Sequence, residues 1–279
     1  MNELVRHMPD TEYREHPAVA HSDLKNLKRS PAYARECRTN PKPSSKAMDL
    51  GTALHMALLE PRRWMDEVEI DPEHPDGGYP AGWRNTTDYK IRSSTLREAG
   101  KLLVPSDLYH ATGRVVENVE KHTVGSMVLD AMQGTEWSCF AYDESNGIHR
   151  KCRPDILVPD AQTVVDLKTT KVAHTASTFA RHAHSLGYYT AAPYYLDTLA
   201  LSGHDFEHYL FLVVSVEPPF EVNAYALDHD SMEQGRKDYR ELLAQWADCQ
   251  RRGNWPGGQD GVQEVRIPQY ALDYFYDND

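Results

Sequence analysis

Cysteine is scarce: four residues, Cys37, Cys139, Cys152 and Cys249, stand in a chain of 279, and no two form a CxxC pair. That spacing argues against a disulfide framework and against a cysteine-held iron–sulfur cluster, so the four read as free thiols. Long apolar runs are missing as well. The longest, Tyr209 to Val214, is far short of the roughly 20 residues that cross a bilayer, and no transmembrane helix is expected. The opening MNELVRHMPD places Glu3, Arg6 and Asp10 where a signal peptide needs apolar residues, so the chain is expected in the cytoplasm. Positive charge is also in short supply. Thirty Lys and Arg against 42 Asp and Glu give a net charge of −12, which, spread evenly, would repel nucleic acid and anionic membrane. A polyanionic partner must therefore meet a locally basic surface.

What is present is a globular composition, 40% hydrophobic and 26% charged, in a length that suits one large or two small domains. One compact domain in three stretches is expected, with no internal repeat. Residues 1–135 read as mainly helical. Ser22 is placed to cap a helix carrying Leu24 and Leu27, which stops near Ser30-Pro31; PAYARECRTN follows as a second helical piece, and the turn-rich residues 41–45 come next. MDLGTALHMALLEP spaces Leu50, Leu54, Ala57 and Leu58 as a helix ended by Pro61. Residues 71–90, with Pro72, Pro75, Gly77, Gly78, Pro80 and Gly82, are predicted as one long loop. Helix resumes from Ser106 through Val119 and again at Met127 to Met132.

The character changes in residues 136–230. Two apolar runs flank Asn146-Gly147, a hairpin signal, and a third strand, Thr163 to Leu167, follows the turn at Pro159-Asp160. Residues 175–200 read as a helix strained by Pro193. Tyr209 to Val216 and Val222 to Leu227 pair across Glu217-Pro218-Pro219, and residues 231–279 supply a helix, Met232 to Arg251, with a Gly/Pro-rich tail. The expected class is α/β, a mixed sheet flanked by helices.

The chemistry concentrates in RPDILVPDAQTVVDLKTTK. Asp155 begins one strand, and Asp166 and Lys168, two apart on the next, project to the same face. Carboxylates that hold a hard cation, with an ammonium beside them, suit metal-assisted phosphodiester hydrolysis, and Leu167 between them can offer its carbonyl. Spacing alone leaves two readings open: this constellation, or a capping aspartate plus a surface ion pair on an edge strand. The apolar Thr163-Val164-Val165 before Asp166 favours the first, because a buried carboxylate needs a partner. His55, on the apolar helix after Gly51, reads more readily as a core histidine than as a ligand.

The PD followed eleven residues on by D-L-K, set in CRPD…VVDLKTT, resembles the PD-(D/E)xK nuclease superfamily, and within it the nuclease-domain family of exonuclease VIII (RecE) and its phage relatives. HSDLKNLKRSP, LGTALHMALLEP and NWPGGQDGVQEVRIPQYALDYFYDND resemble further segments of that family, so the likeness spans about residues 13–279. The resemblance implies metal ligation by His55, Asp155, Asp166 and the Leu167 carbonyl, with Lys168 catalytic. It places a supporting glutamate at Glu136 and the tyrosine of a Gln-x-x-x-Tyr element at Tyr195, although Ala191 stands in the glutamine's position. Lys25, Lys28, Arg29 and Ser30 on the first helix, Arg35, Arg38, Lys42 and Lys46 after it, and Arg153, Thr169 and Lys171 beside the site are the candidate phosphate contacts, positioning DNA without reading its sequence.

It further implies a Mg²⁺- or Mn²⁺-dependent 5′→3′ exodeoxyribonuclease on linear duplex DNA, leaving 3′ single strands for a recombinase or annealing protein. A ring-shaped homo-oligomer, tetrameric in exonuclease VIII, is implied too. Alternatives are an endonuclease or single-strand nuclease on the same site, and a decayed DNA-binding or interaction module.

Overall fold

In the computed structural model, which describes residues 2–6, 8–40, 50–132, 135, 137–171, 175–258, 261–267 and 269, the first half runs through short elements. In order they are β1 (Glu3–Val5), α1 (Asp10–Glu15), β2 (Val19–Ala20), α2 (His21–Leu27), α3 (Pro31–Thr39), α4 (Leu50–Leu59), α5 (Pro61–Glu67), β3 (Val68–Ile70), α6 (Thr87–Glu98), β4 (Leu102–Val104), α7 (Ser106–Lys121) and α8 (Thr123–Ala131). The second half holds β5 (Ser138–Asp143), β6 (Ile148–Cys152), β7 (Ile156–Val158), β8 (Thr163–Thr170), α9 (Ala176–Leu186), α10 (Tyr188–Leu201), β9 (His208–Ser215), β10 (Val222–Ala226) and α11 (His229–Arg252). Among the described residues no helix is long and apolar enough to cross a membrane.

Two four-stranded mixed sheets organise these elements, in the orders β1-β5-β6-β2 and β10-β9-β8-β7. The hairpin signal at Asn146-Gly147 is realised as antiparallel β5 and β6, and the far segments β1 and β2 join its two edges. In the other sheet β8 runs parallel to β9 and antiparallel to β7. A strand in that position is buried on both faces, and β8 divides accordingly. Val164 packs into a core with Tyr194, Phe211, Leu199 and Tyr239, while Val165 and Leu167 pack opposite, with Leu54 of α4 and Val115 of α7. Asp166 and Lys168 share the Val164 face through the strand's period of two. Each fully buried leucine or valine here contributes about 1.5–3 kcal/mol.

Three sequence expectations are corrected. Ser22 is not a cap: β2 pairing carries extended backbone to Ala20, α2 starts at His21, and Asp23 Oδ2 closes its first turn by accepting from Ala20 N at 2.8 Å. The long loop predicted over 71–90 ends early. Thr86 caps α6 by accepting from Tyr89 N at 3.2 Å, and buried Asp71 gathers the preceding stretch, accepting from Arg84 Nη2 at 2.9 Å and Tyr89 Oη at 2.8 Å. Side chains rather than periodicity build that region. The helix predicted over 175–200 is two helices, parted at Gly187, whose φ of 78° is a left-handed value that suits glycine.

Pro193 does not break α10. Proline removes the N–H that would bond the carbonyl four residues back, here that of Tyr189. Against that same carbonyl lies Gly235 of α11, so close that a Cβ on residue 235 would stand 1.8 Å from Tyr189 O. The neighbouring helix fills the space beside the interrupted turn.

Candidate active site

The hairpin of β7 and β8 sets the acids. Its turn, Pro159–Ala161, ends on Gln162 in a left-handed conformation with φ of 46°, and Ile156 pairs with Val165. Asp155, just before β7, is thereby brought to the backbone of β8, where its Oδ2 accepts from Leu167 N at 2.8 Å. Next along, Lys168 Nζ donates to Asp166 Oδ1 at 2.7 Å. The ammonium lies 5.0 Å from the centre of the Tyr188 ring, a cation–π contact. Burial works against its charge, but attraction from Asp166 and Asp155 and the hydrogen bond to Asp166 outweigh it, and the Lys168 pKa is raised.

From the other side, α4 packs Leu54 and Leu58 into the core behind β8 and leaves His55 half-buried. Its Nε2 stands 3.1 Å from Leu167 O. Since a carbonyl only accepts, Nε2 carries the proton in this arrangement, and as a metal ligand the ring would present an unprotonated nitrogen instead. The four expected ligand groups thus meet around one residue, Leu167. Two carboxylates, a carbonyl and an imidazole are an oxygen-rich set that fits a hard divalent cation. Among the described residues no three His, Cys, Asp or Glu side chains stand close enough to hold a metal ion by themselves. A cation would therefore draw on the Leu167 carbonyl as well.

Tyr195 lies on α10, one turn after Ala191, with its ring edge-on to Tyr209 at 6.1 Å. Burial first, then the charges of Asp166 and Asp155, raise its pKa and keep it a phenol. Tyr209 is raised by burial and Asp166 in the same way, and Tyr13 by burial and Tyr195. Tyr13, Tyr188 and Tyr209 were not expected from the sequence. They come from α1, α10 and β9, and no spacing relates them to the acids.

The candidate phosphate contacts divide. Thr169 and Lys171 line a cleft of about 670 Å³ with Gly51, Thr52 and His55. Lys25 is exposed; Lys28 Nζ lies 5.1 Å from the Tyr189 ring, and Arg29 stacks on Tyr33 at 4.1 Å. Ser30 caps α3, its Oγ accepting from Tyr33 N at 3.1 Å. Arg153 anchors the N-terminal segment, donating to Met8 O at 2.7 Å and lying 3.5 Å from Asp10. Arg38 pairs with Asp23 at 2.6 Å. Glu136, Lys42 and Lys46 lie outside the described residues.

A family model described as a PDDEXK-like domain of unknown function (DUF3799) matches residues 20–267. Among solved structures, that of a candidate exonuclease from Eubacterium rectale aligns with a TM-score of 0.59, covering 96% of this chain and 98% of that one at 11% identity. At such identity the likeness shows the fold. The structure of SSO0001 aligns with a TM-score of 0.28, at 14% identity over 80% of this chain and 85% of that one, and carries no argument. No curated protein matches the chain.

Proposed function

The chain belongs to the family of PDDEXK-like domains of unknown function, and from that premise we propose that it is a metal-dependent exodeoxyribonuclease of the exonuclease VIII (RecE) kind. It acts on linear duplex DNA in the 5′→3′ direction and leaves 3′ single strands for a recombinase or annealing protein. The observation that carries the reading is the meeting of His55, Asp155, Asp166 and Lys168 around Leu167, through contacts of 2.7–3.1 Å.

His55, Asp155, Asp166 and the Leu167 carbonyl would hold Mg²⁺ or Mn²⁺, which when bound would supply Lewis-acid polarisation of a phosphate oxygen and activation of water. Asp155 is held in orientation by the Leu167 N–H. Lys168 stays protonated, so it donates: it orients the attacking water or a non-bridging phosphate oxygen and offsets charge that develops in the transition state. Tyr195, a phenol beside the acids, can donate as well, although the amide that Ala191 replaces is not supplied by it. A homo-oligomeric ring enclosing the duplex would combine a chain charge of −12 with a basic bore and would act processively.

Digestion of linear duplex DNA labelled separately at its 5′ and 3′ ends, with and without Mg²⁺, tests the reading. Metal-dependent loss of the 5′ label, with a covalently closed circle left intact, is the expected result. Lys168→Ala should slow the reaction by about 10²–10⁴-fold. Cleavage of the circle would make the enzyme an endonuclease, and no cleavage with either Mg²⁺ or Mn²⁺ would leave a binding module.

A further inference from the structure

Four arginines that the site's chemistry does not use as acids, bases or ligands line a single cleft of about 820 Å³: Arg14 of α1, Arg62 and Arg63 of α5, and Arg153 after β6. In a chain with a net charge of −12, such a grouping is a strong local departure. Two carboxylates share the cleft. Asp10 pairs with Arg14 at 2.5 Å and with Arg153 at 3.5 Å, and Glu60 pairs with Arg63 at 3.3 Å. The Arg14, Arg63 and Asp10 side chains remain 71%, 50% and 61% exposed. Exposed pairs of this kind hold weakly, so a phosphate can take a carboxylate's place, whereas Arg62 projects from an exposed position beside Pro61.

This cleft and the cleft beside Lys171 share one helix. At its first turn α4 gives Gly51, Thr52 and then His55 to the cleft beside Lys171; at its last residue it gives Leu59 to the arginine cleft. From Gly51 to Leu59 the helix rises about 12 Å at 1.5 Å per residue. His55 stands midway along that span. The opposite wall keeps the same order. Arg153 precedes Asp155 by two residues, and Thr135, which donates to Leu59 O at 2.9 Å, bridges to Ile156. On α4, His55, whose Nε2 lies 3.1 Å from Leu167 O, stands between the residues that line the two clefts.

We propose that the arginine cleft binds the sugar–phosphate backbone of single-stranded DNA on the far side of the scissile phosphate, so that a strand crosses α4 from Lys171 to Arg62 and Arg63. The occupant of the middle of this crossing rests on the nuclease reading above. The guanidinium groups take phosphates, bidentately where geometry allows, and apolar Pro61 and Met8 supply a surface for sugars or bases. Such contacts hold a strand without reading its sequence.

The test is metal-free fluorescence anisotropy with a labelled single-stranded oligothymidylate, on the full chain and on the double variant Arg62→Ala/Arg63→Ala, with Lys121→Ala as a distant control. Both arginines are solvent-exposed, and circular dichroism confirms that the variants are folded. The double variant should bind at least tenfold more weakly. Its slope of log binding constant against log salt should be shallower by about 1.4, two contacts at about 0.7 each, while Lys121→Ala matches wild type. Equal affinity and slope in the double variant, or no binding by wild type, would overturn the assignment. Metal-dependent cleavage of a short duplex by wild type is measured in parallel. Cleavage together with arginine-independent binding removes the cleft alone; arginine-dependent binding without cleavage removes the nuclease reading and leaves the cleft as a strand-binding groove.

Discussion

Each of the two sheets buries cations, and they use them oppositely. On β6, Arg150 and Lys151 are enclosed by the fold. The Arg150 guanidinium lies 4.5 Å from the Tyr194 ring and 5.1 Å from that of Tyr239, donates to Tyr194 O at 3.0 Å and pairs with Asp143 at 3.5 Å. Lys151 Nζ donates to three carbonyls that end or follow α1, those of Tyr13, Arg14 and His16, at 2.6, 3.2 and 2.9 Å. Burial pushes its pKa down to about 8. On β8, Lys168 meets Asp166 and the Tyr188 ring and keeps 25% of its side chain exposed, against 3% for Arg150. Burial of charge is thus no mark of function by itself. What separates the sheets is whether the charge is closed off by carbonyls and rings or left partly open to solvent, beside carboxylates that a ligand can complete.

Paired substitutions break the comparison most sharply. Asp166→Asn should lower the cleavage rate by about 10³-fold or more, which corresponds to about 4 kcal/mol of transition-state stabilisation. Its urea unfolding midpoint should move little, because the amide still accepts from Lys168. Arg150→Ala should do the reverse. It leaves Asp143 and the Tyr194 carbonyl without their buried partner and should cost about 3–5 kcal/mol of stability, with the rate per folded molecule unchanged. A rate loss in Arg150→Ala as large as that of Asp166→Asn would show that the two sheets are not separable in this way.

The helix α10 belongs to both sides, since Tyr194 serves the Arg150 cluster and Tyr195 lies beside the acids. Its seat against α11 depends on Gly235. Gly235→Ala places a Cβ 1.8 Å from a backbone carbonyl, which cannot be relieved by a side-chain rotation. A loss of about 1–3 kcal/mol is expected from overpacking, accompanied by reduced activity as Tyr195 shifts. Wild-type stability and rate in that variant would mean that α10 does not position the site.

The sequence made the second sheet more legible than the first. Asp155, Asp166 and Lys168 follow from local spacing on a hairpin, β8 and β9 carry apolar runs, and turn residues part β9 from β10. The first sheet depends on pairings far apart in the chain: Leu4 opposite Cys139, and Val19 opposite Arg150. Strands of two or three residues have no periodicity to read. The same holds for Asp71, whose bonds to Arg84 and Tyr89 order a segment that proline and glycine content marks only as irregular. Pro193 was visible as a strain, but its resolution at Gly235 lies 42 residues away in the chain, on another helix.

His21 gives the finest division between the two sheets, because it follows β2 of one and senses the charges of the other. Its Nε2 lies 2.9 Å from Thr190 Oγ1, whose own proton goes to Gly187 O at 2.9 Å, so Nε2 donates. Burial, then Lys25 on its own helix and Lys28 just after it, push its pKa from 6.5 to about 3; Asp166 opposes this and Lys168 adds to it. The native ring therefore stays neutral while the unfolded chain takes up a proton below pH 6.5. Stability falls as pH drops from 6.5 towards 3, by at most about 1.4 kcal/mol per unit, and by less for a ring that is only half-buried. Urea midpoints at pH 7 and pH 5 should show wild type losing up to about 2 kcal/mol more than His21→Gln, which keeps a donor for Thr190 but cannot titrate. Equal losses in the two proteins would place the proton-linked stability elsewhere, among the carboxylates of the first sheet rather than at the junction.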